Sequence, residues 1–182
     1  VDKGPNKINY SLADFISVDQ DWIGMFAVTA GKGIESLVYE YEKEHDDYKI
    51  IMIKAIADRL AEAFAEKLHQ MIRVDYWGYS LEKDIAINDL IKERYDGIRP
   101  APGYPACPDH SEKDKIWNIL DVENEVGIIL TESRAMYPAA SVSGWYFSHP
   151  EAKYFGLGKI KIDQVVDLSK SCLLYTSPSQ RD

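Results

Sequence analysis

The chain has 182 residues, the length of one domain, and it is long enough to bury a sizeable core. Its 46% hydrophobic and 28% charged residues are typical of a globular protein and argue against a chain that is disordered throughout. A formal charge of −9 is the opposite of what a general nucleic-acid binder carries, and the apolar runs are far too short to span a membrane.

The N-terminus and the cysteines bear on the compartment and on the completeness of the chain. The first residues are polar, without the apolar stretch of a secretory signal, and the chain does not start with Met, so we expect a fragment. Cys107 and Cys172 are too few for a disulfide framework, which favours a reducing compartment such as the cytoplasm.

The first elements in chain order are two strands and a helix. Segment 12–16 predicts a short strand, and 22–29 predicts a better one because it is rich in aromatic and β-prone residues. Gly31 and Gly33 interrupt the pattern, and a charged helix is expected over 34–44.

The strongest predicted element is a long helix over 46–73. Asp46 and Asp47 suit its N-terminus, as N-cap and as negative charge near the positive end of the helix dipole. Apolar residues recur at helical spacing without Gly or Pro, so one stripe is expected to face the core. The residues of this stripe are Ile53, Ala57, Leu60, Phe64, Leu68 and Met71.

The middle of the chain predicts two shorter helices separated by a stiff loop. A helix is expected over 85–95, and the prolines of 99–105 exclude regular helix or central strand in that loop. Ser111 followed by Asp114 resembles a capping box, which predicts a helix running to residue 120.

The C-terminal part has the composition of β-structure. Strands are expected over 141–147 and 153–160, with 148–152 as the turn of a hairpin between them. Asp163 is expected to cap a last helix.

The proline-rich loop holds the most informative candidate binding residues. Arg99 offers a planar fork of donors suited to a carboxylate or phosphate, Gly103 permits close approach of a ligand, and Tyr104 adds a ring and a hydroxyl. The alternative is a rigid connector whose arginine caps the preceding helix. Spacing alone leaves both interpretations open.

The other clusters of polar residues lack the spacing of a metal or catalytic site. Asp58, Glu62 and His69 share one face of the long helix, but the seven-residue gap before His69 suits a solvated or partner-docking face better than a metal site. Cys107 and His110 lack the further ligands of a zinc site, and no phosphate loop or nucleophile motif is present. We therefore expect neither a metal site nor a catalytic residue.

Five runs of sequence together carry a resemblance to one family. They are DDY (46–48), KAIADRLAEAFAE (54–66), GIRPAPGYPACP (97–108), LTES (130–133) and SVSGWYFS (141–148). Over about residues 10–168 the chain resembles the C-terminal, S-adenosylmethionine-binding activation domain of cobalamin-dependent methionine synthase.

The resemblance implies a fold and a ligand site. The implied fold is α+β, a C-shaped domain with a bent antiparallel sheet and peripheral helices. Arg99 would pair with the carboxylate of S-adenosylmethionine, while Gly103 and Tyr104 would line the cleft. Tyr154 and Phe155 match an aromatic pair that also contacts the ligand; without the resemblance, two ordinary sheet aromatics are the simpler interpretation.

The chain also departs from the family at both ends. In the family, a segment with an aspartate that contacts the ligand precedes the part that this chain resembles. Residues 1–168 are therefore expected to form an N-terminally truncated activation domain. Residues 169–182 do not resemble the family and are expected to be a non-native, disordered tail.

The implied function is reactivation of a methyltransferase. The domain would present the methyl group of S-adenosylmethionine to cobalamin, which another module of the parent enzyme binds, after an electron arrives from a flavodoxin-like protein or a flavin reductase. Asp58 and Glu62 would face the cobalamin-binding module. The alternative is a non-enzymatic docking or stand-alone reactivation module that, truncated, no longer binds S-adenosylmethionine.

Overall fold

The computed structural model describes residues 10–82, 84–158 and 161–171. Two compact units are distinguished by their internal contacts. The larger is Ser11–Tyr154, and the described part of the smaller consists of Tyr10, 155–158 and 161–171. Within these residues, no helix has both the length and the apolar character that a membrane crossing requires.

The larger unit mixes helices with short antiparallel strands, which confirms the predicted α+β class. Its strands are β1 (Gly24–Thr29), β2 (Ile129–Leu130), β3 (Met136–Tyr137) and β4 (Ser141–Tyr146). Its α-helices are α1 (Ile34–Lys43), α2 (Asp47–Met71), α3 (Ile87–Ile91), α4 (Glu112–Leu120) and α5 (Val122–Val126). A 3-10 helix, Leu12–Phe15, precedes β1, and a π-helical turn, Ile72–Tyr76, extends α2. The smaller unit holds α6 (Ile162–Ser171).

The central sheet is formed by β1 and β4, which pair antiparallel with Gly24 opposite Tyr146. On its other side β4 lies next to the start of the proline-rich loop (97–105), called the proline loop below. The Trp145 N–H donates to the Pro100 carbonyl oxygen at 3.0 Å, and Ile98 and Phe147 form an isolated antiparallel β-bridge. A Cβ at Gly144 would lie 2.7 Å from the Pro100 oxygen, so the close approach requires glycine. This pairing fixes the loop against the sheet.

Helix α2 packs on the sheet through small side chains. Ala57, Ala61 and Ala65 recur every four residues and are buried, and Ala65 belongs to a core cluster with Phe26, Val28 and Tyr146. The predicted stripe was therefore wrong in part, since Leu60 and Phe64 are 57% and 49% exposed. Alanines permit a closer approach of helix and sheet than bulky residues would.

Two predicted β-segments were wrong. Segment 12–16 contains the 3-10 helix, because Ser11 and Asp14 form a reciprocal capping box at its start. The C-terminal hairpin is absent from the described residues: a turn forms at 150–151, but 152–158 contains no strand, and β4 pairs with β1 and the proline loop instead. Residues 159 and 160 of the predicted strand lie outside the described residues.

The helix boundaries were predicted with mixed success. The predicted helix over 85–95 is limited to α3, whereas α1 and α2 begin and end close to their predicted bounds. Ser111 precedes α4 but its side chain makes no capping bond, so the predicted capping box was wrong. Asp163 lies inside the first turn of α6 rather than at its cap. Residues 169–171 of the predicted tail end α6, and 172–182 lie outside the described residues.

Candidate functional site

The proline loop has a shape that depends on glycine at two positions. Gly97 has φ +79°, and a Cβ there would lie 2.6 Å from the Phe147 carbonyl oxygen. Gly103 has φ +100°, and a Cβ there would lie 2.3 Å from Cε1 of His110. Between these glycines the loop presents Arg99, and directly after Gly103 it presents Tyr104, which is 63% exposed.

Arg99 is held between a helix and a distant tyrosine. Its Nη2 donates to Oε2 of Glu66 on α2 at 3.1 Å, and its backbone N–H donates to the Tyr154 hydroxyl oxygen at 3.1 Å. Both contacts lie away from the preceding helix α3, so Arg99 does not cap that helix. Burial raises the pKa of Tyr154, so its hydroxyl stays protonated at neutral pH.

A second arginine lies behind the first. Arg73, in the π-helical turn, is fully buried; its Nη1 is 3.7 Å from Oε1 of Glu66, and its guanidinium stacks 3.9 Å from the centre of the Tyr95 ring. The Tyr95 hydroxyl donates to Oε2 of Glu66 at 3.4 Å. We call Glu66, Arg73, Arg99 and Tyr95 the arginine cluster.

His69 is buried beneath this cluster, apart from the exposed Asp58 and Glu62. Its Nδ1 lies 3.0 Å from Nη1 of Arg73, and its Nε2 lies 3.2 Å from the Tyr79 hydroxyl. Arginine can only donate, so Nδ1 accepts and Nε2 carries the hydrogen. Both ring nitrogens are thus engaged. In the described part of the chain, no group of three or more His, Cys, Asp or Glu side chains could hold a metal ion.

Acid is expected to destabilise the chain through His69. Burial, and then the nearby Arg73, lower the pKa of His69 from 6.5 to about 2, so the unfolded chain takes up a proton below pH 6.5 that the folded chain refuses. The free energy of unfolding should therefore fall by about 1.4 kcal/mol per pH unit below that point from this residue alone. Urea unfolding of wild type and His69→Gln from about pH 7 to pH 5 tests this, since the variant should show the shallower slope. Equal slopes would contradict it.

The remaining candidates lie elsewhere. Asp58 lines a groove of about 530 Å³ between α1, α2 and the segment after β3, a groove that Glu35 and Glu42 also line. Phe155 belongs to the smaller unit, where its ring centroid is 6.1 Å from that of Tyr10. The strand expected to alternate the Tyr154 and Phe155 side chains does not form, and the ligand role of Phe155 remains a prediction.

Sequence reasoning missed Glu66 and Arg73, and it placed His69 on a solvated or partner-docking face, which was wrong because His69 is buried. Glu66, His69 and Arg73 follow one another at spacings of three and four, which places them on one face of a helix. That spacing was the available signal. Glu93 was also missed: it has φ +53°, burial raises its pKa, and it is close enough to Arg99 to interact electrostatically.

Comparison with known proteins shows similarity to one family model and to solved structures. A family model described as the activation domain of vitamin B12 dependent methionine synthase matches residues 1–172. A solved structure, described as the crystal structure of the MetH reactivation domain bound to AdoHcy, is 56% identical with a TM-score of 0.74. That match covers 82% of this chain and 46% of the other, so the chain spans about half of its relative. The chain belongs to the family of activation domains of vitamin B12-dependent methionine synthase.

Proposed function

We propose that this domain binds S-adenosylmethionine through Arg99, Gly103, Tyr104 and Tyr154. The observation that carries the proposal is the Arg99 guanidinium, fixed by Glu66 at the head of the proline loop. Its Nε is buried and has no hydrogen-bond partner in the described part of the chain, so the protein alone does not satisfy every donor of this guanidinium. Support also comes from the relative whose structure contains AdoHcy (S-adenosylhomocysteine), which has the amino-acid and adenosine parts of S-adenosylmethionine without the methyl group.

Each part of the proposed ligand has a group of suitable chemistry. Arg99 takes the carboxylate, and Glu93 is the nearby carboxylate that suits the α-ammonium group. Tyr104 supplies an exposed ring suited to stacking on the flat adenine, and Gly103 has no side chain to hold the ligand away from the backbone. The Tyr154 hydroxyl holds the Arg99 backbone and so fixes the position of the loop.

The proposed activity is reductive methylation that restores a methionine synthase, a methyltransferase. Cobalamin, which another module of the parent enzyme would hold, would supply a cobalt nucleophile once the electron donor has reduced it, and S-adenosylhomocysteine would be the leaving group. This chain's residues need to supply no acid or base, because the sulfonium is already a good leaving group. Their task is to hold the ligand so that its methyl group points out of the site, and positioning of this kind accelerates transfer strongly.

The proposed partners are the cobalamin-binding module and an electron donor, a flavodoxin-like protein or flavin reductase. Asp58 and Glu62 are exposed on α2 and are proposed to face the cobalamin-binding module, the former from the groove that it lines. The proposed compartment is the cytoplasm, where the buried free thiol of Cys107 stays reduced.

Calorimetric titration with S-adenosylhomocysteine tests the proposal. We expect saturable binding by this chain or by a longer chain that carries the upstream aspartate segment. Adenosine, which lacks the carboxylate and ammonium groups, is the matched control and should bind more weakly. No binding by either chain would contradict the proposal. Binding by the longer chain alone would support it and show that the upstream segment completes the site.

A further inference from the structure

We infer that Glu66 is a positioning residue: one carboxylate shared by Arg73 and Arg99 that sets the direction of the Arg99 guanidinium toward the ligand carboxylate. The inference rests on the proposed function and extends it to a residue that does not itself touch the ligand. Glu66 lies on α2, while the arginines come from the π-helical turn and the proline loop. The Glu66 carboxylate thus connects α2 and its π-helical extension to the proline loop.

The two oxygens of Glu66 have different partners. Oε2 accepts from Arg99 at 3.1 Å and from the Tyr95 hydroxyl at 3.4 Å, and Oε1 faces Arg73 at 3.7 Å. The Glu66 side chain is 24% exposed and that of Arg99 is 17% exposed, so solvent screens their pair only in part. Oε1 makes no hydrogen bond in the described part of the chain, so the two bonds to Oε2 set the orientation of the carboxylate.

The residues on the buried side of Glu66 are closely packed. Arg73 is fully buried, donates to the His69 ring and stacks on Tyr95. His69 in turn stacks on Tyr146, a residue of the sheet core, with ring centroids 5.1 Å apart. Because the groups behind Glu66 are packed in the core, they fix the position of its carboxylate, and the carboxylate in turn fixes the position of the Arg99 guanidinium.

This fixed direction matters because a free arginine side chain loses much rotamer entropy when it binds. Glu66 accepts from Nη2 of Arg99, and the buried Nε of Arg99 has no partner in the described part of the chain, so Glu66 does not use up the donors of the guanidinium. An arginine already aimed at the site therefore binds a carboxylate more tightly than a free one, which is the usual benefit of preorganisation. Without Glu66 the guanidinium would have to be ordered by the ligand.

The test compares two ligands in the form of the chain that binds S-adenosylhomocysteine. The second ligand is its decarboxylated analogue, which lacks only the group that Arg99 is proposed to hold. Glu66→Gln should weaken S-adenosylhomocysteine about tenfold while changing the analogue less than about twofold. Glu66→Asp keeps the charge but shortens the reach, and it should lose most of the same affinity. Added to Arg99→Gln, Glu66→Gln should have no further effect.

Glu125→Gln, at an exposed carboxylate on α5 to which no role is assigned, is the control and should bind both ligands as wild type does. Equal weakening of both ligands by Glu66→Gln would indicate a merely structural role and overturn the inference. Tighter binding of S-adenosylhomocysteine by Glu66→Gln would also overturn the inference, as would wild-type affinity of Glu66→Asp. If Arg99→Gln does not reduce the preference for S-adenosylhomocysteine over the decarboxylated analogue, the Arg99 assignment in the proposed function fails. If Arg99→Gln reduces this preference but Glu66→Gln does not, only the positioning role of Glu66 fails.

Discussion

Replacement of Arg99 by glutamine is expected to weaken S-adenosylhomocysteine binding by about 10- to 100-fold. A hydrogen bond to a charged group contributes about 1.5–3 kcal/mol, and about 1.4 kcal/mol corresponds to a tenfold change in Kd. Glutamine keeps a polar side chain but is shorter, and it has neither the charge nor the planar fork that matches a carboxylate. Calorimetric titration of wild type and variant measures the change directly.

The matched control for Arg99 is Arg94→Gln. Arg94 is in the same part of the chain, but its side chain is 65% exposed and pairs with Asp89 at 3.2 Å on the surface. Its replacement should leave Kd unchanged within about twofold, because exposed ion pairs contribute little. Thermal unfolding of both variants shows whether each is folded at the titration temperature. A folded Arg99→Gln chain with wild-type affinity would contradict the assignment.

Replacement of Arg73 by alanine is expected to lower the free energy of unfolding by about 3–5 kcal/mol. The guanidinium is fully buried against Glu66, His69 and Tyr95, so alanine leaves both a cavity and polar groups without their partner. A domain is stable by only about 5–15 kcal/mol, so the loss is a large share of the total. Urea unfolding followed by tryptophan fluorescence measures it.

Arg94→Ala serves as the control for Arg73, since it removes the same side chain from an exposed position. Its effect should stay within about 0.5 kcal/mol. A methionine at position 73 fills much of the lost volume without the charge, so the difference between Arg73→Met and Arg73→Ala separates the cavity from the lost pairing. A decrease below about 1 kcal/mol for Arg73→Ala would show that the arginine cluster does not stabilise the fold.

The long helix shows what periodicity can and cannot predict. The 3.6-residue repeat and the aspartates at the start placed α2 almost to the residue. The same repeat supports two stripes, one of bulky residues that includes Leu60 and Phe64 and one of alanines that ends at His69. Only contact with β1 and β4 selects the alanine stripe, because the sheet comes too close for larger side chains.

Strand pairing shows the limit of local turn signals. Pro150 lies in a real turn, so the local chemistry was interpreted correctly. The partner of β4 is nevertheless β1, whose Thr29 pairs with Ser141, 112 positions away in the sequence. No local pattern encodes such a pairing. The hairpin prediction was wrong because a turn does not require that the chain after it becomes a strand.

In the candidate site, too, some features follow from local sequence and others from long-range packing. The sequence by itself determined the α+β class, the long helix, the stiff loop that carries Arg99, and the family, because propensities, capping and motif spacing act over a few residues. Only the tertiary structure decided which face of α2 is buried, which strand pairs with β4, and that Glu66 and Arg73 lie behind Arg99. These features depend on close packing between segments far apart in the chain, where small side chains and buried charges meet their partners only after folding.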